Sequence, residues 1–169
     1  MSSRSQPVAA TDSAHLRRAM ELAKGGRGAV APNPLVGAVL VKDGDVIGEG
    51  FHAAVGGSHA EVAALADCAA RGNDPAGATM VVTLEPCAHH GRQPPCTDAI
   101  VAAGIARVVI GTDDPTEKAS GRGPDILRAE GIEVMTSISR SRRASAECAS
   151  ALCATKKKSE RSRRNRAAT

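Results

Sequence analysis

The sequence predicts an α/β fold, a mixed and roughly five-stranded sheet with helices on both faces. Three observations carry this. Segments of helical period alternate with short β-branched runs. An Asp-Gly pair, Asp43-Gly44, lies between the first two apolar runs, which is the signal of a hairpin. The last two runs are joined through a helix, so those strands are parallel.

The elements follow in order. Residues 1–10 are short, polar and small, and are expected to be disordered. Thr11-Asp12-Ser13 can cap a helix to Lys24 that places Leu16, Ala19, Met20 and Ala23 on one face, and Gly25-Gly26 stops it. Ala31-Pro32-Asn33-Pro34 reads as a rigid extended turn. Val36–Val41 and Val46–Phe51 are the hairpin strands. After the loop Val55-Gly56-Gly57, Ser58 is a plausible cap for a helix over 59–71 that buries Val62, Leu65, Ala66 and Ala69. Ala78–Leu84 reads as a central strand and Cys96–Ala103 as a helix stopped by Gly104. Ile105–Ile110 is a buried strand, Pro124–Glu130 a short helix and Gly131–Met135 the last strand. The organisation expected is therefore a disordered start over 1–10, a folded domain over 11–135 and a disordered basic tail over 136–169.

Totals exclude several classes. The chain has 169 residues, 42% of them hydrophobic, enough for one domain with a real core. Phe51 is its single aromatic residue, so Val, Leu, Ile and Ala must build that core and base stacking on aromatic side chains is nearly unavailable. No run of about 18 apolar residues exists, so no membrane span is expected. The N-terminus lacks an apolar signal core, which makes the cytoplasm the default location. Five cysteines in such a chain suggest metal binding or free thiols before disulfides. The net charge of +4 is uneven: ten Lys/Arg against two Glu from Arg140 onward give +8, and residues 1–139 carry −4. The basic end could hold phosphates without sequence preference. A solvated run is the commoner explanation, and nucleic acid is not the expected partner.

Chemistry concentrates in Ser58-His59-Ala60-Glu61-Val62, Thr83-Leu84-Glu85-Pro86-Cys87 and Pro94-Pro95-Cys96. Alone, His59 reads as a structural or surface histidine, Cys87 as an inert thiol and Glu61 as a residue favoured by the helix dipole. Together they are an imidazole, two thiols and a carboxylate at two helix starts and a strand end. Three such N/S ligands, His59, Cys87 and Cys96, suit Zn²⁺ with one position open for water. Glu61, left unligated, would carry the protons. The order matches H-x-E…P-C-x-x-C, the signature of zinc nucleobase deaminases, except that eight residues separate the two cysteines. Cys68 belongs near the packed face of its helix, and Cys148 and Cys153 are incidental. His52, His89 and His90 compete formally as ligands. Substrate contact is the better role for His52 and His89, and none is assigned to His90.

Four stretches identify a resemblance: Pro32-Asn33-Pro34-Leu35-Val36-Gly37-Ala38-Val39, Gly48-Glu49-Gly50-Phe51-His52, His59-Ala60-Glu61-Val62, and Thr83 through Cys96. Ala103–Val109 and Asp114-Pro115 continue it. Over residues 15–135 the chain resembles the deaminase domain of the bacterial riboflavin-pathway deaminase–reductase, of the cytidine-deaminase-like superfamily, and the long gap between the cysteines is that family's own. The resemblance implies a three-layer α/β/α fold, zinc, and hydrolytic deamination of 2,5-diamino-6-ribosylamino-4(3H)-pyrimidinone 5′-phosphate. It implies that Asn33, His52, His89 and Arg92 touch base, ribose or phosphate, Arg92 being the natural phosphate partner.

Gln93 stands where the family usually has Thr, and Thr116-Glu117 where Asn-Pro is frequent. No reductase pattern is present, so a separate reductase would be a partner. The tail fits a truncated or frame-shifted gene as well as a stand-alone deaminase with a basic end. Related deaminases often assemble, so a homo-oligomer is compatible. The alternatives are another zinc deaminase of deoxycytidylate type and nucleic-acid binding through the tail.

Overall fold

A computed structural model describes residues 10–91, 93–113 and 122–137, all within the unit Met1–Ser137. The expectations for residues 1–9 and 138–169, and for Arg92, Asp114-Pro115 and Thr116-Glu117, lie outside the described residues.

Helix α1 spans Ala10–Ala23 and ends in a 3-10 turn, Lys24–Gly26. Strands β1 (Gly37–Lys42) and β2 (Asp45–Phe51) follow, then α2 (Ala60–Ala70) and β3 (Thr79–Leu84). The chain continues through α3 (Cys96–Ala102), β4 (Arg107–Thr112), α4 (Arg122–Ala129) and β5 (Glu133–Thr136). The sheet order is β2-β1-β3-β4-β5; β1 runs antiparallel to β2 and β3, while β3, β4 and β5 are parallel. The mixed five-stranded sheet expected from the sequence is therefore present, with β3 at its centre.

The hairpin behaves as its turn chemistry demands. Asp43 and Gly44 take positive φ, 54° and 92°, the pair of values a two-residue turn between twisted strands needs. Alternation along the strands then divides the side chains between two faces. Val39, Val81 and Val109 point to the α1 side, where Ala19 and Ala23 are buried; Leu40, Met80, Val82, Val108 and Ile110 join Ala60, Ala64, Cys68, Ile100 and Leu127 on the other. One helix thus covers one face and α2, α3 and α4 the opposite one.

Four details depart from the sequence reading. Met20 is 55% exposed, because Ala19 and Ala23 alone fill the narrow contact of α1 with β1. The buried residues of α2 are Ala60, Glu61, Ala64 and Cys68, with Val62 and Leu65 half-buried and Ala66 and Ala69 exposed. The cause is close approach: a Cβ on Gly48 or Gly50 of β2 would run into the backbone of α2 at Ala60 to Ala64 and Cys68. A helix pressed so near a strand uses its smallest side chains at the contact, and hydrophobicity is then a poor guide to the inner face. Finally, His59 and not Ser58 is the N-cap of α2, without a side-chain capping bond. The last two strands also begin two residues later than expected, since Ile105 N bonds Ile100 O at the end of α3 and Ile132 N bonds Leu127 O at the end of α4.

Candidate metal centre and active site

Two helix starts meet the carboxyl end of the central strand, β3. Beyond the carboxyl end of β3 the chain runs through buried Glu85 and Pro86 to Cys87. Glu85 N bonds Thr112 O and so extends the pairing with β4 to the threshold of the site. His59 precedes the first turn of α2, and Cys96 is the first residue of α3. Carboxyl ends of parallel strands are where open α/β sheets bind their ligands.

His59 Nδ1 lies 3.1 Å from Cys96 Sγ and 3.5 Å from Cys87 Sγ. The three donor atoms are all within 4.8 Å of one another. The Cys96 amide donates to Cys87 Sγ at 3.3 Å, and the Thr97 amide donates to Cys87 O at 3.3 Å. These two bonds fold the eight-residue excursion between the cysteines back on itself. The Cys96 thiol donating toward Cys87 holds the Cys87 thiol down to about 4, with His59 contributing, and Cys96 itself is pushed up. One thiolate is therefore already favoured, and the donor set of one imidazole and two sulfurs fits Zn²⁺ in a site with an open fourth position. His59, Cys87 and Cys96, the residues expected to hold zinc, come together as a group that could hold a metal ion.

Glu61 sits one turn-step further along α2, 3% exposed and outside the three-atom cluster. Burial raises its carboxyl to about 7, with the Cys87 thiolate adding to the rise and the backbone amide opposing it.

His52 and Asn33 form a second layer. The buried His52 ring has Nδ1 at 3.0 Å from Ser58 O and Nε2 at 3.2 Å from Asn33 Nδ2. A carbonyl can only accept, so Nδ1 carries the proton and Nε2 accepts from the Asn33 amide. The His52 ring also meets the His59 ring edge to face, with centroids 5.5 Å apart. Both ring nitrogens of His52 are thus committed to protein groups.

Two adjoining hollows of about 310 and 230 Å³ share Asn33, His52, His59, Cys87 and His89 in their walls. The first opens between the loop at Gly56 and Gly57 and the loop carrying His89, Gly91 and Gln93; the second is walled by Glu61, Leu84 and Glu85. His89 faces both, whereas the exposed His90 lines neither. Arg92 lies outside the described residues. Sequence reasoning passed over Glu85 and Gly56 as site residues. An acidic residue wedged between an apolar strand and Pro-Cys was the available signal for the first, and for the second nothing distinguished one loop glycine from another. Cys68, as expected, is fully buried and donates weakly to Asn73 O, away from the metal cluster.

Comparison with known proteins gives a consistent set of relatives. The sequence pattern of the cytidine and deoxycytidylate deaminase zinc-binding region matches residues 9–112. Riboflavin biosynthesis protein RibD of Escherichia coli is 51% identical over 123 residues, 73% of this chain and 33% of its own. The chloroplastic riboflavin biosynthesis protein PYRD of Arabidopsis thaliana is 47% identical over 135 residues, 80% of this chain and 31% of its own. Among solved structures, a diaminohydroxyphosphoribosylaminopyrimidine deaminase/5-amino-6-(5-phosphoribosylamino)uracil reductase from Thermotoga maritima superimposes with a TM-score of 0.72. It is 53% identical, over 76% of this chain and 36% of that one. The chain spans about a third of the length of the curated relatives it matches.

Proposed function

The chain belongs to the cytidine and deoxycytidylate deaminase family, and from that membership we propose that it hydrolytically deaminates 2,5-diamino-6-ribosylamino-4(3H)-pyrimidinone 5′-phosphate in riboflavin synthesis. The observation that carries the chemistry is the convergence of His59, Cys87 and Cys96 with the buried carboxyl of Glu61 beside them. Identity near 50% with the riboflavin proteins supports the choice of substrate.

Zinc held by His59, Cys87 and Cys96 supplies Lewis acidity and an activated water at neutral pH. Glu61 is the catalytic carboxylate: it takes one proton from the attacking water and places it on a ring nitrogen of the pyrimidine, then takes that oxygen's second proton and gives it to the amine, which leaves as ammonia. Its burial in a walled hollow keeps bulk water from competing for those protons. Asn33 and His89, which line the pocket, are assigned to substrate contact. His52 holds Asn33 through Nε2, so that the amide presents its oxygen to the bound ligand. Arg92 is assigned to the phosphate. The proposed partner is this small-molecule substrate. No described helix is long and apolar enough to cross a membrane.

The test is ammonia release from the diaminopyrimidine ribosylamino phosphate by zinc-loaded protein, beside Glu61→Ala. Release that disappears in the variant supports the proposal. Release from deoxycytidylate instead would move the chain to the other branch of its family.

A further inference from the structure

The mouth of the pocket is built from two loops. One, over 53–58, is shaped by Val55 N on Ala29 O at 3.2 Å and Gly57 N on Ala54 O at 3.0 Å. The other, between Cys87 and Cys96, has a tight turn in which Gly91 N reaches Gln93 O at 3.3 Å. Gln93 crosses the gap: its Nε2 donates to Gly56 O at 3.2 Å, and both residues line the larger hollow. Gly56 O can only accept, so the amide nitrogen must face it, and the carboxamide has one possible orientation.

We propose that Gln93 is a positioning residue, a clasp that joins the metal-side loop to the Gly56 loop and sets the width of the pocket mouth. The clasp stands outside the reacting groups. It constrains where the non-reacting part of a substrate, such as a sugar phosphate on the pyrimidine, enters between the loops. A loosened mouth has to be ordered again by each substrate molecule, so its loss falls on binding and leaves the chemical step intact. The substrate part of this inference rests on the deaminase reading, while the clasp itself does not.

The experiment compares zinc-loaded wild type with Gln93→Ala, Gln93→Glu and Gln93→Lys. Glu keeps the shape but removes the donor; Lys restores a donor of similar reach. Hydrogen exchange is followed at the Val55 and Gly57 amides, together with kcat and KM for the diaminopyrimidine ribosylamino phosphate. A neutral hydrogen bond contributes about 0.5–1.5 kcal/mol, which is about a two- to tenfold effect. Exchange faster by that factor in the Ala and Glu variants, and close to wild type in Lys, is the expected result. KM should rise by the same factor in Ala and Glu, with kcat unchanged. Unchanged exchange in both Ala and Glu overturns the clasp. A raised KM with unchanged exchange also overturns it and makes Gln93 a direct substrate contact. Were the wild type inactive on this substrate, the exchange result would still decide the clasp and only the deaminase reading would fall.

Discussion

The Arg107 guanidinium grips the Asp12 carboxylate through two bonds, Nη1 to Oδ1 at 2.9 Å and Nη2 to Oδ2 at 2.7 Å, joining the first turn of α1 to the start of β4. The Asp12 side chain is only 8% exposed and that of Arg107 22%. Parallel bidentate pairs of this kind are the strong form of the salt bridge. Asp12→Asn weakens the pair and leaves Glu133, 3.6 Å from Arg107 Nε, as the remaining carboxylate, so it should cost about 1.5–3 kcal/mol. Urea unfolding measures it. A cycle with Arg107→Met isolates the pair, and a coupling below about 0.5 kcal/mol would show that solvent already screens it.

Gly50 admits α2 to the face of β2. A Cβ there would overlap the backbone of Ala60, Ala63 and Ala64, which cannot move aside without shifting the whole helix. Gly50→Ala is therefore expected to destabilise by more than about 3 kcal/mol and, by displacing His59 at the head of α2, to weaken zinc binding. Gly72→Ala is the control: φ is +74° there but the space is open, so strain of about 1 kcal/mol and normal zinc content are expected. Equal losses in the two variants would contradict the close-approach argument.

These contrasts explain what could be read from the chain. Asp43-Gly44 announced its hairpin because the positive φ values it needs are restricted to few residues. The metal ligands were legible because His-x-Glu, Pro-Cys and Pro-Pro-Cys sit at element ends, where a fold can bring distant segments together. The inner face of α2 was not legible. In a segment as alanine-rich as Ala60–Ala70 the apolar residues surround the helix, and only the glycines of a different element, Gly48 and Gly50, determine which alanines are covered. The bond from Asp12 to Arg107 was hidden for a related reason: Asp12 occupies a position that suits a helix cap, and its true partner is 95 residues away.

Acid should loosen the same region of the molecule. Glu49 is held below the usual carboxylate range chiefly by its hydrogen bond from Arg18, and Asp67 chiefly by the Glu49 amide, with Arg71 assisting both. A carboxylate whose folded pKa is depressed contributes stability above its unfolded pKa, near 4, and loses it as pH falls through the folded value. Stability is therefore expected to drop below about pH 4.5 as the links among α1, β2 and α2 are protonated. Glu49→Gln should start less stable at pH 7 and fall less steeply. A pH profile parallel to wild type would place the acid sensitivity elsewhere.

Zinc content separates the two roles placed side by side on the α2 entry. His59, Cys87 and Cys96 hold the three converging donor atoms, whereas the Glu61 carboxyl is buried next to them and outside the cluster. Cys96→Ser removes one sulfur and also alters the residue whose amide supports Cys87, so its zinc content after dialysis should fall to about a tenth of wild type or less. Glu61→Ala should retain zinc at the wild-type level while ammonia release falls by at least about a hundredfold. Metal binding only to the folded chain contributes RT ln(1 + [Zn]/Kd), about 4 kcal/mol at a thousandfold excess over Kd. A chelator should accordingly lower the Tm of wild type and of Glu61→Ala and leave that of Cys96→Ser nearly unmoved. Loss of zinc from Glu61→Ala would make the carboxylate a ligand, and the proton-carrying role assigned to it would have to pass to another group lining the pocket.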